Sequence, residues 1–241
     1  MKVKEFVIKK IERLPEGFVF TYEDIIEETN SKEAVIKNLN RMVTSGKLSK
    51  LSKGRFYKPE KTPFGKLEPN EFQIAKDLLK KNEKLVGYLT GLTVYNQLGL
   101  TTQISNIIQI GRNETRPATQ RGKYKIYFIK QKNKISKENI PLLQILDAIR
   151  YIKEIPDTKI QLLCNRFLNI LSELSQNNKT TLIRLALNYS PATRALLGAL
   201  LDKVGDEELT GKLQNSLNPI TNYKLGITRE NLSTIEKWNL K

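Results

Sequence analysis

Within residues 31–59 the apolar period changes from helical to strand-like, and this change constrains the fold more than any other feature of the sequence. Apolar residues recur at helical spacing from Val35 to Val43. Gly46 follows at a position where a left-handed residue would end the helix. Two short extended runs then flank Ser52-Lys53-Gly54, which is typical of a hairpin turn. The segment therefore predicts one helix followed by a tight hairpin.

The residues before this segment predict the elements that would support it. Apolar residues between Val3 and Leu14 predict a first helix that ends before Pro15. Phe18-Val19-Phe20 is too short for a helix and predicts a strand, which we expect to pair with the hairpin. Thr21 to Asp24 has a capping signature and predicts a second, short helix. This order is typical of a winged helix-turn-helix, which we predict for residues 1–60.

Basic residues concentrate on the longer helix and the hairpin of this module. From Lys32 to Lys66 there are ten Lys or Arg against Glu33 and Glu60, whereas residues 1–31 contain five against seven acidic residues. Neutralisation of DNA phosphates requires positive charge on the surface that meets the duplex. The alternative is a basic hairpin that simply faces water. We favour DNA binding because the charge coincides with the predicted order of elements.

The side chains predicted to contact DNA follow from helix geometry. At 100° per residue, the face opposite the apolar one carries four polar residues: Lys37, Asn40, Arg41 and Thr44. In the major groove Arg recognises guanine and Asn recognises adenine, so we expect this face to contact bases. Three further cations are expected to hold phosphates: Lys32, Lys53 and Arg55.

The rest of the chain predicts an α+β fold with two further regions. Residues 61–69 are rich in Pro, Gly and Lys and predict a linker. Residues 70–135 combine helical and extended patterns and predict a small mixed α/β middle region. Residues 136–241 have mostly helical periodicity and predict a helical C-terminal domain, with a last helix over Arg229–Trp238.

A second run of basic residues lies between two predicted strands, Ile104–Ile110 and Lys123–Ile129. From Arg112 to Lys134 there are eight Lys or Arg against Glu114 alone. We give equal weight to a mobile exposed loop and to a second contact for nucleic acid or an acidic protein. The candidate residues for such a patch are Arg112, Arg116, Arg121 and Lys123.

The composition excludes several kinds of chemistry. The chain has no histidine, so a Ser-His-Asp triad or a His-ligated metal is impossible. Cys164 is the single cysteine, which excludes an intrachain disulfide and a Cys-cluster zinc site. The acidic run Asp206-Glu207-Glu208 points in different directions on a helix, which is poor geometry for paired metal ligands. We therefore predict no catalytic residue, no metal and no cofactor.

The charge and hydropathy of the chain predict its partners and location. Net charge is +16 over 241 residues, with a pI of about 9.8, which favours a polyanionic partner. No apolar run approaches the roughly 20 residues of a membrane span. The N-terminal MKVKEFVIKKIERL predicts a charged amphipathic helix and not a signal peptide. We expect a cytoplasmic protein that does not associate with membranes.

Three segments, in this order, resemble the AbiEi-type antitoxins of bacterial type IV toxin–antitoxin systems and their transcriptional-regulator-like relatives. They are SGKLSKLSKGRFYKP at the end of the N-terminal module, YLTGLTVYNQLGLTTQ at Tyr88–Gln103, and ALLGALLDKVG at Ala195–Gly205. The resemblance implies a winged-helix repressor that binds its own promoter. It also implies a C-terminal domain that counters a nucleotidyltransferase toxin indirectly.

Two other functions remain open from the residues alone. The first is a nucleic-acid-processing enzyme with scattered acidic residues, or the DNA-targeting subunit of one. The second is a protein-interaction adaptor, for which the weakly basic C-terminal region would be suitable. The sequence predicts neither the operator nor the oligomeric state.

Overall fold

A computed structural model describes residues 3–26, 31–82 and 84–241, and these residues have an α+β fold. The chain divides into two compact units. The first unit comprises Met1–Leu78 and Thr119–Lys125, and the second comprises Leu79–Ala118 and Ile126–Lys241. These boundaries differ from the predicted ones at residues 60, 69 and 135, because packing at long sequence separation joins residues 61–78 and 119–125 to the N-terminal elements.

Helices and strands alternate in the first half of the chain, and helices dominate the second half. The helices are α1 (Val3–Glu12), α2 (Glu23–Ile26), α3 (Lys32–Thr44), α4 (Glu71–Leu79), α5 (Leu92–Gln97), α6 (Ile140–Arg150), α7 (Ile160–Ser172), α8 (Gln176–Ala186), α9 (Pro191–Val204) and α10 (Gly211–Asn215). The strands are β1 (Val19–Thr21), β2 (Ser49–Ser52), β3 (Arg55–Tyr57), β4 (Glu60–Thr62), β5 (Gly65–Leu67), β6 (Lys80–Lys81), β7 (Lys84–Leu85), β8 (Gly87–Thr90), β9 (Ile107–Arg112), β10 (Thr119–Arg121) and β11 (Tyr124–Lys130).

The N-terminal part of the first unit packs three helices on a small antiparallel sheet. The sheet has the order β1-β3-β2, with Thr21 opposite Arg55, so the predicted pairing of the N-terminal strand with the hairpin is confirmed. Apolar side chains from the three helices, from β1 and β3, and from Leu48 just before β2 form its core: Val7, Ile11, Phe20, Ile25, Val35, Leu39, Met42, Leu48 and Phe56. Asp24 accepts a hydrogen bond from the Thr21 N–H at 2.7 Å, which fixes the start of α2.

Two glycines direct the chain from α3 into the β2–β3 hairpin. Gly46 has φ of +72° and ends the helix, as the sequence predicted. Gly54 has φ of +75° and lies in the turn between β2 and β3. Both positions disfavour a side chain because L-residues rarely adopt this conformation.

Residues 61–69, predicted as a linker, instead contain most of a second hairpin. β4 pairs with β5 in antiparallel register, with Lys61 opposite Lys66 and Thr62 opposite Gly65. The segment has no alternating apolar pattern, so its two short strands could not be predicted from the sequence. α4 follows and carries three buried residues of the first unit, Ile74, Ala75 and Leu78.

The second unit combines strands β8, β9 and β11 with helices α6 to α9. β8 and β9 pair antiparallel, with Tyr88 opposite Gly111. Residues 229–238 do not form the predicted last helix: within them only Glu236–Trp238 is helical, as a single 3-10 turn. Trp238 instead fills a notch at Gly198 of α9, where a Cβ would lie 2.1 Å from the indole. Among the described residues, every helix is too short or too polar to cross a membrane.

Candidate nucleic-acid interface

Helix α3 separates its side chains into a buried and an exposed face. Val35, Leu39 and Met42 are buried in the core of the first unit. The four residues predicted to face bases, Lys37, Asn40, Arg41 and Thr44, are all exposed. The predicted orientation of this helix is therefore confirmed, while its contact with DNA stays a prediction. We call these four residues the α3 face.

The α3 face offers donors and acceptors of the kind that base edges match. Arg41 presents a planar guanidinium with five N–H donors, and Asn40 presents an amide that both donates and accepts. The Thr44 hydroxyl donates to the Asn40 carbonyl oxygen at 3.2 Å, which holds that side chain against the helix. With 13 residues, α3 is about 20 Å long, and an α-helix fits the major groove of B-DNA.

Tyr22 brings the start of α3 close to the turn of the β2–β3 hairpin. The Lys32 ammonium lies 5.3 Å from the centroid of the Tyr22 ring, a cation–π contact. Gly54 packs against the same ring, since a Cβ there would lie 3.2 Å from Tyr22 Cε1. Lys53, beside Gly54, is exposed. Two predicted phosphate ligands, Lys32 and Lys53, thus lie in one neighbourhood.

Arg55 does not extend into solvent as predicted. Its Nη2 donates to Asp77 Oδ2 of α4 at 2.9 Å, and its side chain is 30% exposed. The acidic partner lies 22 residues along the chain, too far for local spacing to reveal it. Arg55 therefore holds β3 to α4 and is removed from the set of expected phosphate ligands.

Asp77 also accepts a bidentate hydrogen bond from Arg121. Arg121 Nη1 lies 2.5 Å from Asp77 Oδ1 and Nη2 lies 2.7 Å from Oδ2, and Nη1 also donates to the Ile74 carbonyl. Burial opposes ionisation of Asp77, but the hydrogen bonds and charges of Arg121 and Arg55 outweigh it and lower the pKa of the carboxyl. Asp77 is thus an ionised link between β3, α4 and the 119–125 hairpin.

The four residues of the predicted second patch do not form one exposed cationic surface. Arg112 and Arg121 are buried. Lys123 is partly exposed and lies 3.0 Å from Glu68. Arg116 is exposed, in a different compact unit from Arg121. The partners of Arg121 and Lys123 lie far away in sequence, so a count of charges could not show them, and a contact of this loop with nucleic acid or protein stays a prediction.

Two features of the first unit were missed by the sequence reading. Glu33 is exposed one helical turn before Lys37, so an acidic side chain lies next to the α3 face. The i, i+4 spacing of these two residues was a signal that could have revealed it. The other is Phe64, which lies at the tip of the β4–β5 hairpin and is 100% exposed. An aromatic residue between Pro and Gly in a polar stretch was the signal for it.

The second unit contains a buried polar network that the sequence did not indicate. Asp147 Oδ2 and Oδ1 accept hydrogen bonds from Tyr88 at 2.7 Å and Tyr189 at 2.8 Å. Gln131 Nε2 donates to both tyrosine oxygens, at 2.9 and 2.8 Å. Burial raises the pKa of Asp147, and the two tyrosines oppose that rise only in part. Because every member of the network has partners within it, we assign it to the stability of this unit.

Clusters of three or more Cys, Asp or Glu that could hold a metal ion are absent from the described parts of the chain. Cys164 is buried, and burial raises the pKa of its thiol to about 11, so it remains protonated at neutral pH.

The fold resembles a solved structure, the crystal structure of the RV2827C protein from Mycobacterium tuberculosis. The two agree with a TM-score of 0.64 at 12% sequence identity, over 100% of this chain and 91% of that chain. At this identity the likeness concerns the fold alone. No curated protein matches the sequence. The model of a family of unknown function, DUF6088, matches residues 6–171, and the chain belongs to that family.

Proposed function

We propose that the first unit is a winged helix-turn-helix that binds duplex DNA, and that the protein represses transcription from its own promoter. The observation that carries this proposal is the exposed α3 face, opposite a fully packed apolar face and close to a basic hairpin. Positive charge and hydrogen-bonding side chains on one rigid helix are what recognition in the major groove requires.

In this proposal each side chain has a defined role. Arg41 forms a bidentate pair with a guanine, and Asn40 pairs with an adenine. Lys32 and Lys53, which lie near each other at the start of α3, contact neighbouring phosphates and fix the register of the helix. Arg55 supports the hairpin through Asp77 and does not touch DNA. Sequence selectivity then comes from α3, and the salt dependence of binding comes mainly from the lysines.

Binding of the whole protein to its own upstream DNA tests the proposal. Fluorescence anisotropy would compare that duplex with a scrambled duplex of equal length, over a series of salt concentrations. Arg41→Ala should weaken specific binding by about 1–3 kcal/mol and leave nonspecific binding nearly unchanged. Lys53→Ala should weaken both and lower the slope of log K against log salt by about 1.

A matched control is Lys9→Ala, since Lys9 is exposed on α1, whose buried residues pack against the core side of α3. This variant should bind as the wild type does. Equal binding of the wild type to upstream and scrambled DNA would refute sequence-specific recognition. An Arg41→Ala variant with unchanged selectivity would remove α3 from the interface.

The resemblance to AbiEi-type antitoxins supports a second role, for the second unit. We infer that this unit neutralises a nucleotidyltransferase toxin indirectly, without a stable complex. The structural support for this role comes from one segment that resembles the family, Ala195–Gly205. In this segment Gly198 and Asp202 contact the indole of Trp238. Asp202 Oδ2 accepts from Trp238 Nε1 at 2.7 Å, so this segment holds the C-terminus in place.

Co-expression with the protein encoded by the adjacent gene tests this role. We expect growth arrest by that neighbour, and rescue by the whole chain even when Arg41→Ala has weakened specific DNA binding. Rescue that requires a stable complex of the two proteins would favour an adaptor. Metal-dependent cleavage of labelled DNA or RNA, lost when one carboxylate is changed, would favour an enzyme.

A further inference from the structure

The β4–β5 hairpin has a fully exposed aromatic residue at its tip. Phe64 is 100% exposed and lies with Pro63 in the turn between Thr62 and Gly65. The Thr62 hydroxyl donates to the Gly65 carbonyl at 2.9 Å, which closes this turn. Phe is among the residue types that are most often buried, and a polar residue would serve the backbone of this turn equally well. The position of Phe64 therefore points to a contact with another molecule.

The charges of the same hairpin indicate the nature of that molecule. Lys61 and Lys66 lie directly opposite each other on β4 and β5, and both are exposed. Like charges at such a pair destabilise a hairpin, and a two-stranded hairpin is marginally stable by itself. A polyanion would neutralise both lysines at once. Among macromolecules, DNA combines dense phosphate charge with flat apolar surfaces that accept an aromatic ring.

The hairpin lies beside the end of α3 that carries Thr44. The Lys66 ammonium is 3.4 Å from the position that a Cβ on Gly46 would occupy, and Gly46 follows the last turn of α3. A duplex lying against the α3 face would therefore pass close to the β4–β5 hairpin. Both elements belong to the first unit.

We propose that the β4–β5 hairpin is a second DNA-binding element, in which Phe64 inserts between two base pairs from the minor groove while Lys61 and Lys66 hold the flanking phosphates. It rests on the DNA binding proposed for the α3 face and adds a deformation of the duplex to it. A two-stranded hairpin is wider than the minor groove, which is about 6 Å across, but the single exposed side chain of Phe64 at its two-residue tip can enter that groove. Apolar wedges of this kind kink DNA by about 20–90°.

Energy transfer between dyes at the two ends of the upstream duplex measures this kink. We expect the wild type to shorten the end-to-end distance and Phe64→Ala to leave the bound duplex nearly straight. The affinity of Phe64→Ala should fall roughly five- to tenfold, at the lower end of what is lost with one stacked base. Lys61→Gln with Lys66→Gln should lower the salt slope by about 2.

Phe72→Ala is the matched control, because Phe72 is 49% exposed on α4 of the same unit and lies outside both α3 and the hairpin. It should bend DNA as the wild type does. Selective binding by a wild type that leaves the duplex straight would overturn the wedge and leave the proposed function intact. Equal loss of bending in both Phe variants would also overturn the wedge. If the wild type binds no duplex, both proposals fall together.

Discussion

The segment Lys32–Lys66, which includes α3, and the loop segment Arg112–Lys134 are similarly basic in sequence but differ in structure. On α3, Lys37 and Arg41 project into solvent from a helix whose other side is buried. In the loop, Arg112 and Arg121 are themselves buried, and Lys123 lies against Glu68. A count of Lys and Arg gives the same expectation for both regions. Their accessible charge differs because Asp77 and Glu68, which are distant in sequence, pair with Arg121 and Lys123.

In a basic protein, helical periodicity indicates accessible cations better than a local density of Lys and Arg does. Helical periodicity places polar residues on a definite face, since one side of the helix must enter the core. A basic loop has no such constraint, and its cations pair with any acceptor that the fold brings near. Residues with a fixed face are therefore better candidates for ligand contacts than residues in a dense run of charge.

The largest expected effect separates a structural arginine from a DNA-binding one. Arg121→Ala removes a bidentate pair with Asp77 and a hydrogen bond to the Ile74 carbonyl from a side chain that is 6% exposed. Breaking a buried ion pair costs about 3–5 kcal/mol. Because Asp77 is 46% exposed, we expect a smaller loss of about 2–3 kcal/mol, since solvent screens the carboxyl. Urea unfolding followed by circular dichroism would measure it.

Arg41→Ala is the matched variant for that experiment. Because Arg41 is exposed, its removal should change the free energy of unfolding by less than about 0.5 kcal/mol. Conversely, Arg121→Ala should retain selective DNA binding well below its unfolding temperature. If Arg41→Ala lost as much stability as Arg121→Ala, the description of Arg41 as exposed and of Arg121 as a structural residue would be contradicted.

A smaller effect is expected in the dependence of stability on pH. The pKa of Asp77 is lowered in the folded chain, below its ordinary value of 3.8. Below that value the unfolded chain binds more protons, so the contribution of Asp77 is complete above pH 3.8 and is lost as pH falls through the folded pKa. Asp77→Asn should therefore be less stable than the wild type at neutral pH, and the difference should shrink in acid.

Asp147 in the second unit should behave in the opposite sense. Burial raises the pKa of this carboxyl above 3.8, so the folded chain binds the extra proton. Its contribution to stability therefore falls as pH rises from 3.8 through the raised pKa, and Asp147→Asn should remove that fall. Unfolding curves of the two variants across the acid range would show opposite trends. Parallel trends would contradict the environments described for these carboxyls.

The smallest expected effect concerns Arg116, the exposed arginine of the basic loop. If the loop makes no contact with DNA, Arg116→Ala should leave the free energy of unfolding within about 0.5 kcal/mol of the wild type. It should also leave the salt slope of DNA binding unchanged. A drop of about 1 in the salt slope would instead show that Arg116 contacts nucleic acid, contrary to this expectation.

The sequence allowed α3 and the β2–β3 hairpin to be predicted closely, because a change of apolar period and two glycines mark them. Gly46 and Gly54 both have the expected positive φ. It also allowed the four residues of the α3 face to be placed in solvent. Both results depend on local geometry, which a single sequence contains.

The features that could not be predicted depend on distant contacts. The β4–β5 hairpin lacks apolar alternation, and residues 119–125 join the first unit through Asp77 and Glu68. Residues 229–238 have helical spacing, but Asp202 and Gly198 of α9 hold the indole of Trp238 at their end, and tertiary packing overrides the helical propensity. The ion pair of Arg55 could not be predicted for the same reason, since its partner Asp77 is on α4.

Covalent footprinting of lysines in the wild-type chain tests the central claim most directly. The whole protein would be acetylated briefly with and without its upstream duplex, and each lysine quantified by mass spectrometry. The account predicts strong protection of Lys37 and Lys53 by the upstream duplex, weaker protection by a scrambled one, and none at Lys9. Protection confined to lysines of the second unit, or unchanged labelling of Lys37, would contradict it.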